Sequence, residues 1–293
     1  IPLGGYVKFF GDRNVFSESE QQEIINKYSE EEREKLFILK PLYQRSLIVA
    51  AGPIANFILA ILIFFLINIF AGKDLTPAII NEVKIDSPAY IAGMQKNDKI
   101  IKIDHNEVSS ILEVSTLINT STAAVIEFVA IRNNKEVVFN IEPEYLPSKD
   151  AFGNSINKRI IGIKLAPLNN KFQKEPLGPS KALYFSVKEV WFVSVTSLKY
   201  LGSILTGSGD TSQLGGPIRI AKLTGQVAEH GIMPFLSIMA YISISLGLVN
   251  LFPIPMLDGG HLMFYFIEKI NGKPLKQKTQ EGFFRIGLFL LFS

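Results

Sequence analysis

The sequence predicts an α-helical polytopic membrane protein that carries an inserted α+β domain. Hydrophobic residues make up 47% of the 293 residues and the mean hydropathy is positive, which is unusual for a soluble protein. Two uncharged apolar runs are long enough to span a bilayer. Between these runs the pattern changes to short apolar stretches separated by turn residues, as in a folded β-rich domain.

Composition excludes several classes of protein. Cysteine is absent, so any metal ion must be bound by His, Asp or Glu side chains. The net charge is only +3 and no basic stripe is interleaved with aromatic residues, so we expect no nucleic acid partner. The chain begins at Ile1 and stops at Ser293 inside an apolar run. We therefore expect it to be part of a longer protein.

Two segments are predicted to cross the membrane. Residues 46–72 contain no charged residue, and Lys73 follows them directly. Residues 231–265 open with a second uncharged run, but Pro253 and Pro255 must break its helix near the end. At 1.5 Å per residue both segments can span a hydrocarbon core of about 30 Å. The start of a final membrane helix is expected within residues 283–293.

Residues 181–206 are predicted to form an amphipathic helix in the membrane interface. Their apolar residues recur at helical spacing and charged residues lie between them. The alternative is a further span whose lysines reach the membrane surface. Lys and Arg concentrate in residues 1–45 and 269–285, which predicts that both regions are cytoplasmic. Residues 1–45 are then a cytoplasmic hairpin or loop region, and nothing between the two spans crosses.

Residues 75–168 are predicted to form a compact soluble domain. Four β-rich runs alternate with turn residues, and a helix is expected over residues 107–119. The pair Asn133 and Asn134 predicts a hairpin turn between two strands.

Residues 87–108 resemble the core motif of bacterial PDZ domains, with Asn97 and Asn106 where glycine is usual. Asparagine tolerates left-handed turns, so both replacements are mild. The resemblance implies a groove in which a peptide is captured as an added strand. A size filter that excludes bulky ectodomains is an open alternative. The residues expected to border the groove are Ile161, Gly162 and Ile163.

The strongest chemical signal is the run Asn-Leu-Phe-Pro-Ile-Pro-Met-Leu-Asp-Gly-Gly-His at residues 250–261. A carboxylate at membrane depth costs about 2.5 to 3.5 kcal/mol, so Asp258 needs a partner, and a bound cation is the obvious one. The prolines open the helix, and the two glycines allow close approach or positive φ. The alternative is a helix C-cap at the membrane surface with a hydrated Asp258.

This run resembles the signature of site-two-type intramembrane metalloproteases, the regulator-of-sigma-E protease group. Residues 1–8, 51–57 and 214–218 resemble other stretches of the same family. In that family zinc (Zn²⁺) is held by two histidines of a His-Glu-x-x-His helix and by the aspartate of Leu-Asp-Gly, and the glutamate activates water. The resemblance implies that Asp258 is the third zinc ligand. It implies a substrate-binding role for Asn250, Pro253 and Pro255.

Two further expectations concern the N-terminal residues and the histidines. Gly4 and Gly5 are expected to open a hairpin edge that pairs with unwound substrate, a plain connection being the alternative. The three histidines are His105, His230 and His261, and none begins His-Glu-x-x-His. We expect that motif upstream, so this chain alone should be inactive. His261 is expected to form a structural hydrogen bond, and His105 to be exposed in a turn.

The resemblance therefore implies a metalloendopeptidase of the bacterial inner membrane, with the PDZ-like domain on the extracytoplasmic side. Its expected substrates are transmembrane segments, such as those of anti-sigma factors or remnant signal peptides. The expected partners are these substrates, the lipid bilayer and a peptide ligand of the PDZ-like domain. The alternative function is a non-catalytic membrane scaffold whose PDZ-like domain tethers envelope proteins.

Overall fold

The described residues fall into two units, one within residues 60–242 and the other within residues 1–59 and 243–293. The predictions for Gly4 and Gly5 lie outside the described residues, as do those for residues 288–293. The computed structural model describes residues 29–34, 36–121, 123–149, 155–167, 174–207, 216–255, 257–273, 275, 279–280, 282–283, 285 and 287.

Helices and strands are both present in the described part of the chain. The helices are α1 (Glu30–Arg33), α2 (Leu42–Phe70), α3 (Pro88–Ile91), α4 (Ile111–Thr120), α5 (Pro179–Leu205), α6 (Pro217–Ala228), α7 (Ile232–Leu251) and α8 (Asp258–Asn271). The strands are β1 (Lys73–Asp74), β2 (Ile80–Val83), β3 (Lys99–Ile103), β4 (Asn106–Glu107), β5 (Ile126–Arg132), β6 (Lys135–Ile141), β7 (Glu144–Lys149), β8 (Ser155–Ile160), β9 (Ile163–Leu165) and β10 (Lys174–Glu175).

Two of the described helices, α2 and α7, have the length and apolar composition to cross a membrane. In the most apolar 18-residue stretch of each helix, 22% of the residues of α2 and 33% of those of α7 are buried. A core helix of a soluble protein is mostly buried. Helix α5 has 27 residues, but it is not apolar enough to be a candidate span. Charged residues interrupt its apolar sequence. Its interfacial position stays a prediction.

The predicted break in segment 231–265 is confirmed, because the segment forms two helices. Helix α7 ends at Leu251 and α8 begins at Asp258. The break lies at the two prolines, as the sequence predicts, because proline lacks a backbone donor and clashes with the preceding turn of a helix.

The inserted domain is built around the antiparallel sheet β4-β3-β5-β6. Strands β2 and β9 form a second antiparallel pair, and β7 pairs with β8. Alternate side chains of these strands enter one apolar core because successive residues of a strand point to opposite faces. The large, almost fully buried side chains of this core include Ile80, Ile100, Ile103, Ile126, Phe128, Ile141 and Ile161.

The predicted hairpin turn is confirmed. Asn133 and Asn134 connect β5 to β6 with φ of 50° and 61°, and a two-residue hairpin of this kind requires positive φ at both positions. The predicted helix 107–119 begins later than expected, at Ile111. Its first predicted residue, Glu107, instead pairs with Lys102 of β3.

Only one of the two asparagines at PDZ glycine positions has the expected conformation. Asn97 is left-handed, with φ of 73°. Asn106 is not left-handed, because it lies in β4 and pairs with Ile103. The left-handed residue of that turn is Asp104, with φ of 51°, so the turn places its strained position two residues earlier than the motif predicts.

The two ends of the inserted domain are paired with each other. Lys73 of β1 lies opposite Glu175 of β10, so the domain is wider than the predicted range 75–168. Gly72, with φ of 79°, allows this pairing, because a Cβ there would stand 2.7 Å from the carbonyl carbon of Glu175. The Leu177 amide donates to the Asn68 carbonyl of α2 at 3.1 Å. The chain therefore leaves α2 and returns to its end before α5 begins.

Lys73 is the centre of a charged cluster at this junction. Its ammonium nitrogen lies 3.8 Å from a carboxylate oxygen of Glu113 in α4 and 3.6 Å from one of Glu189 in α5. The same nitrogen is 4.7 Å from the centre of the Phe185 ring. These contacts join the end of α2 to α4 and α5.

Candidate metal centre

The break between α7 and α8 positions Asp258. Pro253 and Pro255 prevent α7 from continuing. The backbone then turns, and the Leu257 amide donates to the Ile254 carbonyl at 3.1 Å. A new helix starts at the next residue, so Asp258 is the first residue of α8.

The two glycines after Asp258 allow the first turn of α8 to pack on the backbone of the break. A Cβ at Gly259 would stand 2.3 Å from the carbonyl oxygens of both Leu251 and Phe252. A Cβ at Gly260 would stand 2.4 Å from the carbonyl oxygen of Ile254. Neither glycine has a positive φ. Close approach of backbone to backbone is therefore the reason for both glycines, and the alternative of left-handed turns is wrong.

The Asp258 carboxylate is half-buried at the N-terminus of a helix. Unpaired amides and the helix dipole favour negative charge there. The predicted alternative, a helix C-cap, is wrong because Asp258 opens a helix. On its other side the carboxylate meets α2, where a Cβ added to Gly52 would stand 3.1 Å from Oδ2. The missing side chain of Gly52 makes room for the carboxylate.

The carboxylate of Asp258 fits one ligand position of a zinc site. A carboxylate oxygen is an ordinary zinc ligand, and a catalytic site needs three protein ligands. Within the described ranges, no group of three or more His, Asp or Glu side chains could hold a metal ion. The described residues therefore supply one candidate zinc ligand, the carboxylate of Asp258.

The histidines are spread over three elements. His261 lies in the first turn of α8, with its ring edge-on to Phe264 at a centroid distance of 6.4 Å. His105 is exposed in the turn between β3 and β4, as predicted. The Nδ1 atom of His230 lies 2.8 Å from the Gln226 carbonyl oxygen. The structural hydrogen bond expected of His261 stays a prediction.

Two of the predicted substrate-binding residues of the motif lie in the break, and the third lies in the last turn of α7. Asn250 is half-buried near the end of α7, Pro253 is exposed and Pro255 is buried. Their binding role stays a prediction. Gly52 belongs to the family-like stretch 51–57, but the sequence does not indicate its place beside Asp258. The available signal was a glycine in an apolar membrane helix, since small residues allow such helices to pack closely.

Comparison with known proteins decides the family of this chain. The sequence profile of peptidase family M50 matches residues 1–293. The chain belongs to peptidase family M50. It is 38% identical to "Putative zinc metalloprotease Atu1380" of Agrobacterium fabrum, covering 100% of this chain and 78% of the relative. It is 32% identical to "Metalloprotease MmpA" of Caulobacter vibrioides, again covering 100% and 78%. The resemblance to site-two-type proteases is thereby confirmed.

Among solved structures, the M50 chain is similar to the PDZ domain of an SdrC-like protein from Listeria monocytogenes. The identity is 23%, the match covers 31% of this chain and 87% of that one, and the TM-score is 0.25. A PDZ domain of an SdrC-like protein from Listeria innocua matches at 24% identity, with 30% and 92% coverage and a TM-score of 0.24.

The predicted groove border of the M50 chain is a loop followed by β9. The Ile161 side chain is 2% exposed and lies in the core, so Ile161 can reach a peptide only through its backbone. Its carbonyl accepts from the Ala89 amide at 2.9 Å. Gly162 has φ of +81°, and a Cβ there would stand 2.2 Å from the Ser87 Cβ. Ile163 opens β9 and pairs with β2.

Gly162→Ala is expected to destabilise the inserted domain more than Gly93→Ala does. Both glycines have positive φ, +81° and +84°, but only Gly162 would place its new Cβ against another residue. Left-handed backbone costs alanine roughly 1 to 2 kcal/mol at either site, and the clash with Ser87 adds to this only at Gly162. Hydrogen exchange of the β2 and β9 amides in the intact chain measures both losses. Equal losses would show that the contact with Ser87 contributes nothing.

Proposed function

We propose that this chain is part of an intramembrane zinc metalloprotease that hydrolyses membrane-spanning segments of other proteins. One observation carries the proposal: in a chain of family M50, the carboxylate of Asp258 opens a helix directly after the break in an apolar helix. A carboxylate in that position is expensive unless it binds a cation or a strong donor. Two relatives carry the names zinc metalloprotease and metalloprotease, and these names support zinc as that cation.

Asp258 would hold zinc through a carboxylate oxygen, and the helix N-terminus and Gly52 fix where that oxygen lies. Zinc supplies a Lewis acid and lowers the pKa of a bound water toward neutrality. The remaining two ligands and the general base are proposed to come from a His-Glu-x-x-His helix outside these 293 residues. The relatives leave room for it, since this chain covers 78% of the first of them.

The break itself is proposed to receive the substrate. A transmembrane substrate must unwind before hydrolysis, because helical amides are already paired and shielded. Pro253 and Pro255 lie where the backbone is not helical, and Asn250 lies one residue before the end of α7. We propose that all three hold the unwound segment. Gly4 and Gly5 are proposed to add a strand edge to the same segment.

The membrane placement follows from the two apolar helices and from charge. Helices α2 and α7 are proposed to cross a bacterial inner membrane, because basic residues concentrate in the flanks that would be cytoplasmic. The inserted domain between them is then extracytoplasmic. The proposed substrates are single-span proteins such as anti-sigma factors, or remnant signal peptides.

The test is zinc binding by the full-length protein and its Asp258→Ala variant. We expect zinc affinity, measured by chelator competition, to fall more than about a hundredfold, since changes to supporting residues alone cost 10- to 100-fold. Glu136→Gln, an exposed carboxylate of β6, is the matched control and should bind zinc normally. Equal zinc affinity in wild type and Asp258→Ala would remove the ligand assignment.

A second role, peptide capture by the inserted domain, is supported by the edge of β9. In the described part of the chain β9 pairs only with β2, so its other edge is open to an added strand. The alternative role of this domain, a size filter that excludes bulky ectodomains, needs no peptide binding. A non-catalytic scaffold would bind peptides at this edge but would neither bind zinc at Asp258 nor cleave a transmembrane substrate, so the zinc measurement separates it from the protease.

A further inference from the structure

We propose that Gly52 and the ion pair between Arg45 and Glu268 are positioning residues, which fix the Asp258 carboxylate by holding α8 against α2 at two points. This inference rests on the proposed function, because it assigns Asp258 as a zinc ligand. None of the three residues touches the reacting atoms. Their role is to set where the Asp258 carboxylate lies.

The first point is the contact at Gly52. A Cβ at this position would stand 3.1 Å from Oδ2 of Asp258, which is closer than ordinary van der Waals contact. The carboxylate therefore lies directly against the backbone of α2. A methyl group at position 52 would make the carboxylate rotate or α8 withdraw, and either movement displaces the ligand oxygens.

The second point lies at the other end of α8. Arg45 Nη2 is 2.7 Å from Glu268 Oε1, and Nη1 is 3.5 Å from Oε2. The side chains of Arg45 and Glu268 are 19% and 18% exposed. The guanidinium also donates from Nε to the Lys40 carbonyl at 3.1 Å and lies 5.1 Å from the Tyr265 ring centre. A planar guanidinium held on several sides fixes both the orientation of the Glu268 carboxylate and its distance from Arg45.

The spacing of the two points explains why both are needed. Arg45 precedes Gly52 by two helical turns, so the two residues share a face of α2. Asp258 and Glu268 are about 15 Å apart along α8. One contact leaves a helix free to swing about that contact, whereas two contacts at this separation fix its rotation and its position along α2. Functional ligands must be held within about 0.5 Å of their working geometry, so a small swing of α8 matters.

The experiment uses the full-length protein with Arg45→Gln, Glu268→Gln, the charge swap Arg45→Glu with Glu268→Arg, and Gly52→Ala. Zinc affinity is measured by chelator competition. The second readout is the distance between spin labels on introduced cysteines at Leu47 of α2 and Phe266 of α8, which are 63% and 65% exposed. These 293 residues contain no cysteine, and any cysteine elsewhere in the full-length protein is first replaced.

We expect each single change at Arg45 or Glu268 to weaken zinc binding about tenfold, which is the low end of the effects of supporting residues. Each change should also broaden the distribution of distances between the two spin labels. The charge swap keeps the ion pair but loses the contacts of Arg45 with the Lys40 carbonyl and the Tyr265 ring, so it should restore both readouts in part.

Gly52→Ala should weaken zinc binding by a similar factor. Gly247→Ala is the matched control, because its Cβ would meet Phe57 at 3.2 Å and not a carboxylate. Its zinc affinity should stay within about twofold of wild type.

Unchanged zinc affinity and unchanged distances in both Arg45→Gln and Gly52→Ala would overturn the inference. If Arg45→Gln does not fold, Arg45→Lys keeps the charge, loses the two-pronged contact and gives the same readouts. If Asp258→Ala itself binds zinc normally, the proposed function fails and the distances alone decide this inference. A broadened distribution in Arg45→Gln then still supports the two-point contact, and an unchanged one overturns it.

Discussion

Alanine at position 259 is expected to reduce proteolysis by the full-length enzyme at least a hundredfold. Its Cβ would stand 2.3 Å from the carbonyl oxygens of Leu251 and Phe252. These atoms belong to the backbone, so they cannot rotate away as a flexible side chain would. Overpacking costs about 1 to 3 kcal/mol, and the neighbouring Asp258 must move with the first turn of α8. A displacement of about 1 Å in a catalytic group costs roughly a hundredfold in rate.

The measurements for Gly259→Ala are cleavage of a single-span substrate in detergent or liposomes and zinc content. Gly225→Ala in α6 is the matched control, because nothing lies within 4 Å of its added Cβ. Alanine is a better helix former than glycine by about 1 kcal/mol, so this variant should keep full activity. Normal cleavage and zinc content in Gly259→Ala would contradict the packing seen at the helix break.

Arg132→Met is expected to destabilise the inserted domain by about 3 to 5 kcal/mol, because it leaves a buried carboxylate without its cation. Asp98 is 1% exposed. It accepts hydrogen bonds from Nε and Nη2 of Arg132 at 2.7 and 2.6 Å, and from the Gln95 amide at 2.9 Å. Methionine retains the apolar packing of the side chain over Phe139, so the loss reports on the charge and its hydrogen bonds.

Urea unfolding followed by hydrogen exchange of β3 and β5 measures this loss. Lys164→Met is the control, because the pair of Lys164 with Glu82 is 71% and 66% exposed with 3.9 Å between the charged atoms. Exposed pairs contribute at most about 1 kcal/mol. A loss in Arg132→Met no larger than in Lys164→Met would contradict the prediction.

The Arg132 guanidinium keeps its charge across the physiological pH range. The hydrogen bond to Asp98 raises the pKa of Arg132 above its ordinary value. A raised pKa means that the contribution is fully present below the ordinary pKa of a guanidinium and is lost only at still higher pH.

The sequence by itself determined the features that depend on neighbouring residues. Uncharged apolar runs predict α2 and α7, because bilayer length and hydropathy are local properties. Pro253 and Pro255 predict the break, since proline cannot continue a helix. Asn133 and Asn134 predict the hairpin, because few residues accept positive φ at both positions. The motif at residues 250–261 led to Asp258 and to the family.

Only the tertiary structure decided the features that join distant parts of the chain. Arg45 contacts Glu268 across 223 positions, and Gly52 makes room for Asp258 in a helix more than 200 residues away. Strand pairing with β3 takes Glu107 out of the predicted helix. Backbone contact, not positive φ, explains Gly259 and Gly260. Composition and spacing cannot reveal such contacts, because packing between elements decides which surfaces meet.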